Sequence, residues 1–217
     1  MRRDNSVRPA RWPVSVTVVL LLALGCAPRA GSLRGAPAPA NFPRAELAPG
    51  HRRLVFRWEY ADQALGARGE GAARVAPPDS VRLDFFLDGG AAGGFAIVVG
   101  DSVYTPGGDQ VRRYLPPVAL LWAALGRLAV PAAPDTVAKV DGNVLRADIG
   151  RGPTWRIAFE GDQLTRVERI VDGRRLEWVN RNGSEVRYQH ERASRSLTLK
   201  ITSTDAAAPF DPEIWRH

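Results

Sequence analysis

The stretch that decides the fold is Pro116-Pro117-Val118-Ala119-Leu120-Leu121-Trp122-Ala123-Ala124-Leu125-Gly126. Proline suits the first turn of a helix, where its missing N–H would have no partner anyway. Glycine suits the position just past the last turn. Val118, Leu121, Trp122 and Leu125 form one stripe, while Ala119, Leu120, Ala123 and Ala124 leave no polar face on the other side. A helix that is apolar all round must be buried or face lipid. Crossing a bilayer takes roughly 20 residues, so this segment reads instead as a plug in the mouth of a curved sheet.

On both sides of the helix the sequence alternates with period two, the mark of strands with one greasy and one wet face. Leu54, Phe56, Trp58 and Tyr60 oppose Arg53, Arg57 and Glu59. Val81, Leu83, Phe85 and Leu87 oppose Arg82, Asp84 and Asp88, and Trp155, Ile157 and Phe159 oppose Arg156 and Glu160. Leu197, Leu199 and Ile201 alternate with Thr198 and Lys200, and Phe95–Val99 is a short, continuously apolar strand. Asp141-Gly142, Gly161-Asp162, Asp172-Gly173 and Asn182-Gly183 supply the positive φ angles of tight hairpins. They chain the strands into a meander from about 136 to 203, with a second set of hairpins between 53 and 105. No alternating βαβ pattern occurs. The expected fold is mainly β with one helix (α+β): an antiparallel, unclosed β-barrel or strongly curved sheet wrapping an apolar helix.

The N-terminus reads as export machinery. Arg2, Arg3, Arg8 and Arg11 precede the apolar run Val14–Leu24, which is too short to span a membrane. The run ends in Ala23-Leu24-Gly25-Cys26, which resembles the lipobox of bacterial lipoproteins, and Cys26 is the only cysteine in the chain. Residues 1–25 are then a signal peptide, and Cys26 is the lipidation site. A thiol that carries two acyl chains meets the two-signal requirement for stable membrane anchoring. Residues 26–44, rich in proline and poor in large apolar side chains, read as a flexible tether. The body is then 45–217. By resemblance to lipoprotein sorting in Gram-negative bacteria, Ala27 after the cysteine points to the periplasmic face of the outer membrane.

Composition excludes several classes. The formal charge of +7, from 30 basic and 23 acidic residues, falls to +4 once four arginines and one aspartate leave with residues 1–25. An exported chain with scattered arginines is a poor nucleic-acid binder. A lone cysteine rules out a disulfide framework or a Cys-rich metal site. The three histidines, His51, His190 and His217, leave little for a His-based one. No cofactor is expected. Gly100-Asp101-Ser102-Val103 resembles the nucleophile motif of GDSL hydrolases, but the Asp-x-x-His that would activate the serine is missing, because Ile214 stands three residues after Asp211. The motif therefore reads as a hairpin turn, with no catalytic residues expected.

Lipobox, Pro-rich tether, hairpins leading to Pro78-Asp79-Ser80-Val81-Arg82-Leu83-Asp84, an apolar helix around Leu120–Gly126 and a long meander follow in that order. This order resembles the LolA/LolB-type lipoprotein-carrier fold over about residues 45–205. The resemblance implies an open barrel around an apolar cavity for lipid or lipoprotein acyl chains, with a periplasmic carrier protein as a further partner. Phe56, Trp58, Phe85, Leu121, Trp122, Leu125, Trp155, Phe159 and Trp178 are the candidate lining residues. The same side chains would equally fill a packed core. In LolB-type receptors a protruding loop carries an apolar residue for membrane insertion. By that resemblance Gly89–Gly94 takes the place of this loop, with only glycine and alanine in it. The alternative is a structural or interaction lipoprotein without a ligand.

Overall fold

The hairpin chemistry is realised as read. Asp172 and Gly173 take φ of 51° and 67°, the two positive angles of a type I′ turn. In the computed structural model, residues 29–89, 93–106, 112, 115–130, 133–151 and 154–216 are described. The signal segment, Cys26 and the loop tip Gly90–Ala92 lie outside them.

The hairpin strands are β2 (Arg52–Ala61), β3 (Gly66–Ala76), β4 (Ser80–Leu87), β5 (Gly94–Val99) and β6 (Ser102–Tyr104) upstream of the helix α1 (Val118–Ala124). Downstream run β7 (Val137–Asp141), β8 (Val144–Ile149), β9 (Thr154–Glu160), β10 (Gln163–Val171), β11 (Arg174–Asn182), β12 (Glu185–His190) and β13 (Arg195–Ala206). A short strand, β1 (Ala36–Ala38), precedes them all, and a 3-10 turn, Pro212–Trp215, follows. They form one antiparallel sheet in the order β1-β7-β8-β9-β10-β11-β12-β13-β2-β3-β4-β5-β6. The ends of that order, β1 and β6, do not pair with each other, so the sheet curls without closing.

One pairing joins the two hairpin sets. β13 lies along β2, with Leu199 opposite Trp58 and Ile201 opposite Phe56, so the greasy faces of β2 and β13 are continuous. The helix fills the resulting concavity. Leu120 and Ala123 pack into an apolar cluster with Ile157, Phe159, Val167 and Val179 of the downstream strands. Leu121 and Trp122 pack into a second cluster with Phe56, Val75, Val81 and Val98 of the upstream strands. Both flanks of α1 therefore meet hydrocarbon, which is why it lacks a polar face. Trp122 is fully buried, and its indole N–H donates to the Gly100 carbonyl at 2.9 Å.

The Pro-rich segment differs from the free tether expected of it. Ala36–Ala38 pairs with Val140–Ala138 of β7 as an edge strand, a place where proline is tolerated because one face of the backbone needs no ladder bonds. Upstream, Ala30 N–H donates to the Gly173 carbonyl at 2.9 Å, and Leu33 is buried. Phe42 stacks on Phe159 with ring centroids 6.4 Å apart. A few well-placed apolar side chains are enough to hold this stretch against the sheet. From Arg29 onward it belongs to the body.

Candidate functional site

Between α1 and the concave face lies a cavity of about 60 Å³. Leu120, Leu121, Ala124 and Leu125 form its helical wall, and Leu115 and Pro116 close the end before the helix. The sheet contributes alternate residues of several strands: Leu54 and Phe56, Leu83 and Phe85, Val179, and Leu197, Leu199 and Ile201. Tyr188 is the one lining side chain with a polar atom. Strand alternation explains the wall, since every second side chain points inward.

Glycine adjusts the wall at one point. A Cβ on Gly71 of β3 would lie 2.3 Å from the Phe56 ring, so the ring seats itself against bare backbone. At about 60 Å³ the cavity has room for roughly two water-sized groups, well below the roughly 300 Å³ of a ligand pocket. Occupancy by an acyl chain therefore requires α1 to move outward. What opposes that is the apolar packing on both of its flanks and one buried hydrogen bond. The helix has no side-chain cap, and the Trp122 bond to Gly100 is its side-chain hydrogen bond to the sheet.

Of the nine side chains expected at an apolar site, Phe56, Phe85, Leu121 and Leu125 line the cavity. Trp58 is buried in the upstream cluster, its indole N–H donating to the Glu70 carbonyl at 2.9 Å. Trp122 points away from the cavity toward Gly100. Phe159 is fully buried in the downstream cluster, against which Trp155 packs, so both serve as core. Trp178 departs furthest from expectation. Its neighbour Val179 faces inward, which places Trp178 on the convex side. There Arg166 lies 4.5 Å over its ring, and its N–H donates to Glu191 at 2.9 Å.

The inward residues that sequence reading passed over include charged ones. Glu177, buried, accepts from Arg169 at 2.9 Å and from the Tyr188 hydroxyl at 3.0 Å. Burial, followed by the Glu177 carboxylate, pushes the Tyr188 hydroxyl pKa well up, so it stays a neutral donor. Glu177 and Tyr188 sit at the end of the concave face beside Pro116 and Pro117. At the opposite end, beside Leu125, stand Arg52 and Arg181. A signal for all of them existed in the strand parity, since Glu177 and Arg181 share the parity of Val179.

The residues weighed for chemistry fall in structural roles. Gly100 takes φ 54° in the turn between β5 and β6, and Ser102 pairs with Val99 in that hairpin. His51 packs edge-on against Phe210 at 5.3 Å, and His190 Nδ1 accepts from the Ala193 N–H at 3.2 Å. Among the described residues no group of three or more potential metal ligands converges, and no helix is long and apolar enough to cross a membrane.

No family model and no curated protein matches the chain. Among solved structures it is similar to a LolA superfamily protein from Nitrosomonas europaea, with 7% identity, a TM-score of 0.49, and 80% of this chain and 93% of the other covered. It is also similar to a putative outer membrane lipoprotein-sorting protein domain from Vibrio parahaemolyticus, with 7% identity, a TM-score of 0.47 and coverage of 77% and 89%. A DUF1329-family protein from Desulfovibrio piger aligns with 10% identity, a TM-score of 0.40 and coverage of 77% and 90%.

Proposed function

We propose that this chain is an outer-membrane lipoprotein, anchored through Cys26, that binds lipid or lipoprotein acyl chains between α1 and its curved sheet, in lipoprotein localisation or envelope lipid transport. The observation that carries the reading is the cavity itself: a hydrocarbon-walled space inside an unclosed sheet, covered by one short helix that apolar packing holds in place. Burying an acyl chain there removes about 0.8 kcal/mol of unfavourable hydration per methylene, with no bond made or broken. The small resting volume fits a carrier that is closed when empty. A pocket that stood open would expose a large apolar patch to water. The anchoring reading rests on the lipobox-like Ala23–Cys26, and the choice of membrane rests on Ala27.

The test is direct. Protein extracted from bacterial membranes and washed free of bulk lipid should retain about one tightly held lipid or acylated peptide per chain, read by native mass spectrometry. The lipid-free protein should take up a fluorescent fatty-acyl probe. A preparation that carries no lipid and takes up no probe defeats the proposal. Radiolabelled palmitate on the wild type and its absence on Cys26→Ala tests the anchor separately.

A further inference from the structure

The groove at the C-terminal end of α1 carries charge that the cavity does not need. Arg181 projects from the concave face of β11, two residues beyond the cavity-lining Val179. Arg52 projects from β2, two residues before the cavity-lining Leu54. Both line a groove of about 380 Å³ that shares Leu54, Leu125 and Ile201 with the apolar cavity, so the two spaces adjoin. Two guanidinium groups and no carboxylate stand in the groove wall.

Arg181 is the unusual member. Its Nε is buried with no hydrogen-bond partner among the described residues. Its guanidinium packs against the turn that ends the helix, so that a Cβ on Gly126 would lie 2.3 Å from Nη1. Burial alone lowers its pKa; no carboxylate offsets the loss of water. Arg169 and Arg156, by contrast, have carboxylate partners in Glu177 and Asp148. A desolvated donor without a partner is costly, and arginine's planar fork matches a carboxylate or phosphate two bonds at a time.

We infer that this groove holds the anionic headgroup of an amphiphile, a carboxylate or a phosphate, whose hydrocarbon chain lies in the cavity under α1. The inference rests on the carrier reading and narrows it from acyl chains in general to negatively charged amphiphiles. Arg181 and Arg52 hold the headgroup at the groove, and the shared wall of Leu54, Leu125 and Ile201 leads the chain inward. The headgroup also gives Arg181 the partner that the protein withholds.

The experiment uses the full chain carrying Cys26→Ala, so that no attached acyl group competes, with cis-parinaric acid and its uncharged methyl ester as fluorescent probes. The acid is expected to bind at least tenfold more tightly than the ester. Arg181→Met should bring the acid down to the level of the ester while leaving ester binding unchanged, and Arg52→Gln should do so in part. Equal binding of acid and ester by the wild type overturns the headgroup site while the carrier reading stands. If neither probe binds, the carrier reading fails and the headgroup site with it. Loss of both probes together in Arg181→Met and in Arg52→Gln shows that the arginines merely support the helix, which also overturns the inference. Calorimetry with inorganic phosphate separates the sources: phosphate that binds alone as tightly as the fatty acid makes the free anion the ligand, against the proposal.

Discussion

Filling the cavity should stabilise the protein and disable it at once. Ala124, the last residue of α1, lines the cavity wall, and Ala124→Val adds two methyl groups on that side. The space of about 60 Å³ is comparable with two groups of roughly 30 Å³ each. Burial contributes about 0.8 kcal/mol per carbon, and β-branching at a helix position costs about 0.5 kcal/mol. The net expectation is about 1 kcal/mol of added stability. In a domain of this size that corresponds to a rise in Tm of roughly 2–4 °C. Urea titration followed by tryptophan fluorescence measures the first quantity, with an unchanged m-value required. Uptake of cis-parinaric methyl ester measures the second, and it should fall about fivefold, the factor that about 1 kcal/mol in favour of the closed form corresponds to. A variant destabilised by more than about 1 kcal/mol would show that the space is already filled. A stabilised variant that still takes up the probe would show that acyl chains bind elsewhere. Either result breaks the link drawn between this cavity and the function.

Trp122→Phe removes the indole donor from the Gly100 carbonyl inside a fully buried site. Thermal melting should show a loss of about 2–3 kcal/mol, chiefly from the stranded carbonyl. Glu177→Ala leaves both Arg169 and the buried Tyr188 hydroxyl without their shared acceptor. Chemical denaturation should register a loss of about 3 kcal/mol, and Glu177→Gln should recover part of it by keeping an oxygen for Tyr188. Tyr60 is the pH probe: burial and its hydrogen bond to Asp62 push its pKa up to about 12. Its folded value lies above the unfolded value of about 10, so the folded state holds the proton more tightly. The corresponding stability is present below pH about 10 and is lost as pH rises toward 12. Unfolding midpoints measured from pH 9 to 12 should fall less steeply for Tyr60→Phe than for the wild type; identical slopes would contradict the reading.

The strands were legible where a local rule decided them. Asp172-Gly173 and Asn182-Gly183 announce hairpins because few residues accept positive φ, and Leu54, Phe56 and Trp58 announce a one-sided strand because the alternate positions Arg53, Arg57 and Glu59 are charged. The all-apolar helix announced its burial for the same reason. β11 resisted because Arg174–Asn182 carries large apolar and charged residues on both parities, and its register shifts against β10 next to Ile170. Trp178 looked like an inward aromatic. Arg169 and Tyr188, arriving from other strands, supply the partners that Glu177 has as the inward residue instead. Nor can parity distinguish a packed core from a cavity. Phe159 and Phe56 read identically as letters, yet one is locked under Phe42 and the other borders open space. The docking of residues 29–44 escaped notice because it rests on a few side chains, such as Leu33 and Phe42, scattered through a composition typical of linkers.

On the proposed anchoring, that docking would set the distance at which the protein works. A free leash of the length expected between Cys26 and Arg44 would let the body wander roughly 25 Å from its attachment point, as a flexible chain does. With the chain joined to the sheet from Arg29, beside Arg174 and Gly173, only three residue steps separate the anchor from the body. On the proposed anchoring at Cys26, they span at most about 11 Å. On that proposal the hairpin turn at Gly173 would be held near headgroup height, close to the anchor. Cargo would have to come to it, because it cannot swing out to meet cargo.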